Sequence, residues 1–135
     1  MKKTVCMVLC CMTMLLLISC AKTVEMQMKE PEKISAKQAK DLMDDGAIVV
    51  DVRTQEEYDQ SHIDGAILIP NETISDTPPE LLPDKNAQIL VYCKTGRRSA
   101  QAAKKLYDLD YKNVFDFGGI VEWPYGTVKT ENTQA

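Results

Sequence analysis

The amino-acid sequence predicts an α/β fold in which a mostly parallel sheet carries helices on both faces. Three observations predict it. Short apolar runs rich in β-branched residues, Ile48-Val49-Val50 and Ile89-Leu90-Val91, read as strands buried on both faces. Capped stretches with apolar residues at helical spacing lie among them. The two kinds alternate along the chain, as parallel strands joined by helical crossovers require. The 135 residues, 44% apolar and 27% charged, suffice for one compact domain and show no internal repeat.

The body begins at Ile34. Ser35 stands at a cap position, and Ala36, Ala39, Leu42 and Met43 follow at helical spacing until Gly46 stops the helix. Ala47–Asp51 is a buried strand. Thr54 caps a second helix, Gln55–Gln60, and Gly65–Pro70 reads as a short strand closed by proline. Residues 71–87, with Pro78, Pro79 and Pro83, are irregular apart from a short helix near Pro79–Leu82. Gln88–Tyr92 is the clearest buried strand. Residues 99–109 form the best helix, with Ser99 as cap and Ala102, Ala103, Leu106, Tyr107 and Leu109 as its apolar face. Asn113–Phe117 is the last of four strands read this way. Gly118-Gly119 breaks it, Ile120–Trp123 makes a short turn or helix, and residues 126–135 are a polar tail.

The N-terminus reads as an address. Lys2 and Lys3 precede an almost wholly apolar stretch, Val5–Ile18, which is the layout of a secretory signal and short for a spanning helix. Leu17-Ile18-Ser19-Cys20 closes the stretch and resembles a bacterial lipobox. That resemblance implies cleavage before Cys20 and acyl chains on its sulfur. Each buried methylene contributes about 0.8 kcal/mol, so several chains hold a soluble domain at a membrane. The expected organisation is a signal peptide over 1–19, a lipidated tether over 20–33, a domain over 34–125 and the tail. The expected location is extracytoplasmic, at a bacterial membrane, periplasmic or on the cell surface.

Four of the five cysteines (Cys6, Cys10, Cys11, Cys20) fall in the first twenty residues, so the body holds Cys93 alone. This argues against a disulfide framework and against an oxidoreductase that resolves through an internal disulfide. A single histidine, His62, leaves a zinc site little to draw on. The net charge is -4, and residues 1–19 carry two lysines and no acid, which leaves -6 on the rest. An acidic body excludes a nucleic-acid partner held by bulk charge, so any anion site must be local.

Such a site is written around Cys93, which follows a strand directly. Lys94, Thr95, Gly96, Arg97 and Arg98 connect it to the helix at Ser99. A tight strand-to-helix loop turns successive N–H groups inward, and the helix aims its positive end at the same spot. Gly96 permits the backbone angles this needs. The Cys93 thiolate is thereby favoured, and a persulfide formed on it is an anion that the same amides stabilise.

The motifs extend further. Asp51-Val52-Arg53, Glu57-Tyr58, His62-Ile63-x-Gly65-Ala66 and Ile69-Pro70 resemble the first half of a rhodanese domain. Val91-Tyr92-Cys93-Lys94-Thr95-Gly96-Arg97-Arg98-Ser99 resembles its active-site loop, and Gly118-Gly119 with Trp123 its closing element. The resemblance runs from about Ile34 to Tyr125. It implies a three-layer fold around a five-stranded, mostly parallel sheet, with Cys93 as the persulfide-forming nucleophile. Residues 94–98, with Ser99, would cradle the sulfur and the donor's anionic end, and Arg97 and Arg98 would hold a donor such as thiosulfate. Asp51 either helps to order the site or is a structural partner for a loop amide. Arg53 and Glu57 are spaced to pair. His62 is not needed as a base beyond the thiolate.

The implied activity moves sulfane sulfur from thiosulfate or a persulfide to a thiol or cyanide, without a cofactor. Two other classes stay open. One is a non-catalytic persulfide or sulfide carrier. The other is a phosphatase or arsenate reductase of related fold, whose loop places arginine sixth after cysteine; here the sixth residue is Ser99 and Arg98 is fifth.

Overall fold

The structure is a computed structural model that describes residues 30–131. The signal, the lipobox cysteine and most of the expected tether lie outside the described residues. The described residues form five strands: β1 (Glu32–Lys33), β2 (Ile48–Asp51), β3 (Ile67–Leu68), β4 (Gln88–Cys93) and β5 (Asn113–Gly119). They form one sheet in the order β1-β5-β4-β2-β3, with every neighbouring pair parallel. Its helices are α1 (Ala36–Asp44), α2 (Gln55–Gln60) and α3 (Arg97–Asp108), with 3-10 turns at Asn71–Thr73 and Ile120–Glu122.

Alternation along the central strands builds two cores. Ile89, Val91 and Cys93 of β4, with Val50 and Val52, pack against Ala102, Ala103 and Leu106 of α3. Leu90 and Tyr92, with Val49, face Ala39, Leu42 and Met43 of α1 and Tyr58 of α2. Helices on both faces are what a parallel sheet requires, since neither face can meet water. Leu106 is fully buried, so truncating it to alanine costs about 2–5 kcal/mol.

α1 and α2 start where their sequences place them. Ser35 and Thr54 each accept a hydrogen bond from the backbone amide three residues on, and the Gln38 and Glu57 side chains accept one from the amide of the cap residue. Elsewhere the expectations need correction. Glu32 and Lys33, read as tether, pair with Phe115 and Asp116 as the fifth strand. Two residues hold there because β5 supplies the register, which no local pattern announces. Pro79–Leu82 is a turn closed by the Leu82 amide on the Pro79 carbonyl. The strand β5 runs on through Gly118-Gly119 instead of breaking. The tail folds back, with Val128 bridging His62 and the Thr130 amide meeting the Asp59 carbonyl. α3 starts at Arg97 with Gly96 at its cap, not at Ser99.

Candidate active site

Cys93 ends β4 at the carboxyl edge of the sheet and is only 1% exposed. In an open α/β sheet this edge is where ligands bind. A register shift between Val91 and Cys93 sets Cys93 opposite Gly119 of β5. The chain turns through Lys94 and Thr95 to Gly96, whose φ of 104° is a left-handed conformation that favours glycine. The Gly96 amide then donates to Cys93 Sγ at 3.0 Å.

No side chain caps α3, unlike α1 and α2. The sulfur of Cys93 lies at this open end of the helix and accepts from the amide of its N-cap residue, Gly96. Burial pushes its thiol up, but the backbone amides of Ser99, Gly96 and Thr95 and the Ser99 hydroxyl bring it below its ordinary value. The Ser99 hydroxyl has one proton and also lies within reach of the Gly96 carbonyl at 3.0 Å and the Gly118 carbonyl at 3.3 Å. The amides cannot turn away, so they are the constant part of the effect.

The two glycines at the end of β5 form the floor of this loop. A Cβ on Gly119 would fall 2.3 Å from the Lys94 carbonyl oxygen and 2.8 Å from Thr95 Cα. Sequence reading registers the Gly-Gly pair but takes it for a break, because the need for bare backbone arises only when β5 lies under the loop.

The loop cations point different ways. Lys94, Thr95 and Arg97 are exposed, and Arg97 lines an open cleft of about 570 Å³ together with Lys33, Thr95 and Gly96. Arg98 turns to Glu57 instead and donates to both carboxylate oxygens, at 2.7 and 2.8 Å. The Arg98 guanidinium is the largest reason that the Glu57 carboxyl is lowered to about 2. This pair spans 41 residues of sequence and no local signal could have found it.

Asp51 and Arg53 sit across the sheet from Cys93, on the Tyr92 side. The Asp51 carboxylate accepts from the Arg53 amide at 3.0 Å, from its guanidinium at 2.6 Å and from the Tyr92 hydroxyl at 2.6 Å. Arg53 also donates to the Ser61 carbonyl at 2.7 Å, and the Tyr92 oxygen accepts from the Ile63 amide. The expected Arg53–Glu57 pair is therefore replaced: Arg53 takes Asp51, and Glu57 takes Arg98. Of the two roles open to Asp51, its bonds are those of a structural partner for a loop amide. His62 stacks on Tyr58 at 3.7 Å between ring centroids and hydrogen-bonds the Tyr58 carbonyl at 2.8 Å, which makes it part of the fold's packing. Among the described residues no acidic, histidine or cysteine cluster could hold a metal ion, and no helix is long and apolar enough to cross a membrane.

This arrangement, an amide-ringed cysteine at a strand end, has relatives. The family model described as "Rhodanese-like domain" matches residues 35–124. Thiosulfate sulfurtransferase PspE of Escherichia coli (strain K12) is 39% identical over 80 residues, covering 59% of this chain and 77% of that protein. A tRNA uridine(34) hydroxylase of Erwinia tasmaniensis is 37% identical over 87 residues, 61% of this chain but only 25% of that longer protein. A solved structure titled "rhodanese with anions from E. coli" superposes with a TM-score of 0.58 at 37% identity, covering 62% of this chain and 99% of that one. The matched span takes in all three helices and every strand but β1, and the parallel sheet and cysteine loop agree with it, so the chain belongs to the rhodanese-like domain family.

Proposed function

We propose that the protein is a sulfurtransferase that carries sulfane sulfur on Cys93. The observation that carries this reading is the Cys93 sulfur at the N-terminal end of α3, accepting from the Gly96 amide at 3.0 Å. A thiolate stabilised by neutral dipoles stays nucleophilic. It attacks the outer sulfur of thiosulfate, forming a new S–S bond while the old one breaks and its electron pair leaves with sulfite. The persulfide anion rests on the same amides until a thiol or cyanide removes the outer sulfur and returns the thiolate. A persulfide donor reacts alike, with a thiol as leaving group. The similarity to a thiosulfate sulfurtransferase supports the choice of donor. The phosphatase loop of related fold places arginine sixth after cysteine, whereas the sixth residue here is Ser99 and Arg98, the fifth, is held by Glu57.

Intact mass of the protein after thiosulfate treatment should rise by about 32 Da, one sulfur atom, mapped to Cys93. Cys93→Ala should lose this addition and all thiosulfate:cyanide turnover while staying folded. Turnover retained in that variant would refute the reading. A stoichiometric persulfide without turnover would make the protein a carrier instead.

We also propose that residues 1–19 are a signal peptide and that lipidated Cys20 holds the domain outside the cytoplasm at a bacterial membrane. The basic-then-apolar run and Leu17-Ile18-Ser19-Cys20 support this. Glu30 lies beside Lys112 and Asn113 at the amino end of β5, whereas Cys93 is at the carboxyl end of β4. The tether would thus join the domain at the end of the sheet away from Cys93. The wild-type protein should take up labelled fatty acid and Cys20→Ser should not; a mature wild-type protein without the label would refute the anchor.

A further inference from the structure

The first turn of α3 holds two adjacent arginines in different situations. Arg97 is exposed and makes no ion pair among the described residues. Arg98 is bidentate on Glu57, the two side chains being 22% and 26% exposed. Glu57 is in turn fixed by the Thr54 amide and hydroxyl, both at 3.1 Å. The carboxylate thus belongs to α2, yet it sits against a cation in the first turn of α3, the helix whose preceding Gly96 amide donates to the Cys93 sulfur. A bidentate carboxylate cancels most of the field of a guanidinium at a distance and leaves a dipole.

We propose that Glu57 sets the charge selectivity of the Cys93 site, by holding and neutralising Arg98 so that an incoming reagent meets a pair rather than a free cation. This rests on the sulfurtransferase reading for its biological meaning: Glu57 would decide how strongly dianionic donors such as thiosulfate are preferred over monoanionic ones. Glu57 is a positioning residue here, acting through Arg98. Removing its charge leaves an uncompensated guanidinium near the sulfur and raises the advantage of anionic reagents. Removing Arg98 leaves the Glu57 charge alone and reverses the effect.

The test is Glu57→Gln in the full chain. Glutamine also serves in a capping box, so the start of α2 is kept. Alkylation of Cys93 by iodoacetate and by iodoacetamide is followed on the Cys93 peptide, and the ratio of the two rates is taken. A change in thiolate fraction or a general loosening moves both rates together and leaves the ratio alone. The ratio should rise roughly three- to tenfold in Glu57→Gln at low salt and less at high salt, and fall below wild type in Arg98→Gln. The double variant should return near the wild-type ratio. An unchanged ratio in both single variants overturns the proposal, whether or not sulfur transfer is observed. With donors, the KM for thiosulfate should fall more than the KM for a monoanionic aryl thiosulfonate in Glu57→Gln. Wild-type protein that is selective in alkylation but inert to both donors would sink the sulfurtransferase reading and leave the Glu57 assignment standing.

Discussion

Asp51 and Cys93 are two ionisable groups at the carboxyl ends of adjacent central strands, and the sheet sets them back to back. Both are almost fully buried. Asp51 is neutralised by a guanidinium with which it shares several hydrogen bonds, and by a tyrosine hydroxyl. Burial and the nearby carboxylate in turn push that Tyr92 hydroxyl well above its ordinary value. Cys93 has no formal cation bound to it; its partners are backbone amides and one hydroxyl. The contrast separates structural from reactive use of a buried charge. The hydrogen-bonded guanidinium and hydroxyl occupy the lone pairs of Asp51, while dipoles that are fixed before ionisation favour charge on Cys93 and leave its lone pairs available.

That contrast can be broken from either side. The largest effect on stability should come from Arg53→Met, which leaves the Asp51 carboxylate buried and unpaired. It should cost about 3–5 kcal/mol in urea unfolding, with the pH profile of Cys93 alkylation unmoved. A shifted profile would show that the two networks are coupled. Gly119→Ala should do the converse. Its Cβ has no room beneath Lys94, so the amides must leave the sulfur. The thiol should climb back toward its ordinary value, and sulfur transfer should fall about 100-fold.

Ser99→Ala sharpens the comparison more gently. It removes a rotatable donor and keeps the amide, so the thiol should rise less than in Gly119→Ala and turnover should drop only a few-fold. The smallest effect belongs to the Glu57–Arg98 pair. The Glu57 carboxyl is lowered to about 2, so its stabilisation is fully present above the unfolded value near 4.3 and is lost as pH falls through about 2. Because the pair is partly exposed, its contribution should stay under about 1 kcal/mol. The stability difference between wild type and Glu57→Gln should shrink between pH 4.3 and 2 and stay constant above.

Local rules made much of this molecule legible. Ser35 and Thr54 mark helix starts that the structure keeps, because a cap is decided by residues three apart. Ile89–Tyr92 reads as a central strand because burial on both faces leaves no polar position. The Cys93 loop was visible too, since strand, glycine and helix follow one another without interruption. What local rules missed involves partners far apart in sequence. Serine at 99 reads as a cap because serine caps commonly; the actual start at Gly96, with its amide on the Cys93 sulfur, depends on the irregularity that sets Cys93 against Gly119.

The sequence by itself determined the α/β alternation, the caps of α1 and α2, and the presence of one cysteine at the end of a buried strand. Those follow from side-chain periodicity and short-range hydrogen bonding, which act within a few residues. Only the tertiary structure decided that Glu32–Lys33 is a strand, that Gly119 is the bare floor of the loop, that Arg53 belongs to Asp51 and Arg98 to Glu57. Each of those is a choice among partners brought together by the sheet. The energy of an ion pair or a close backbone approach depends on distance in space, which the order of residues along the chain does not specify.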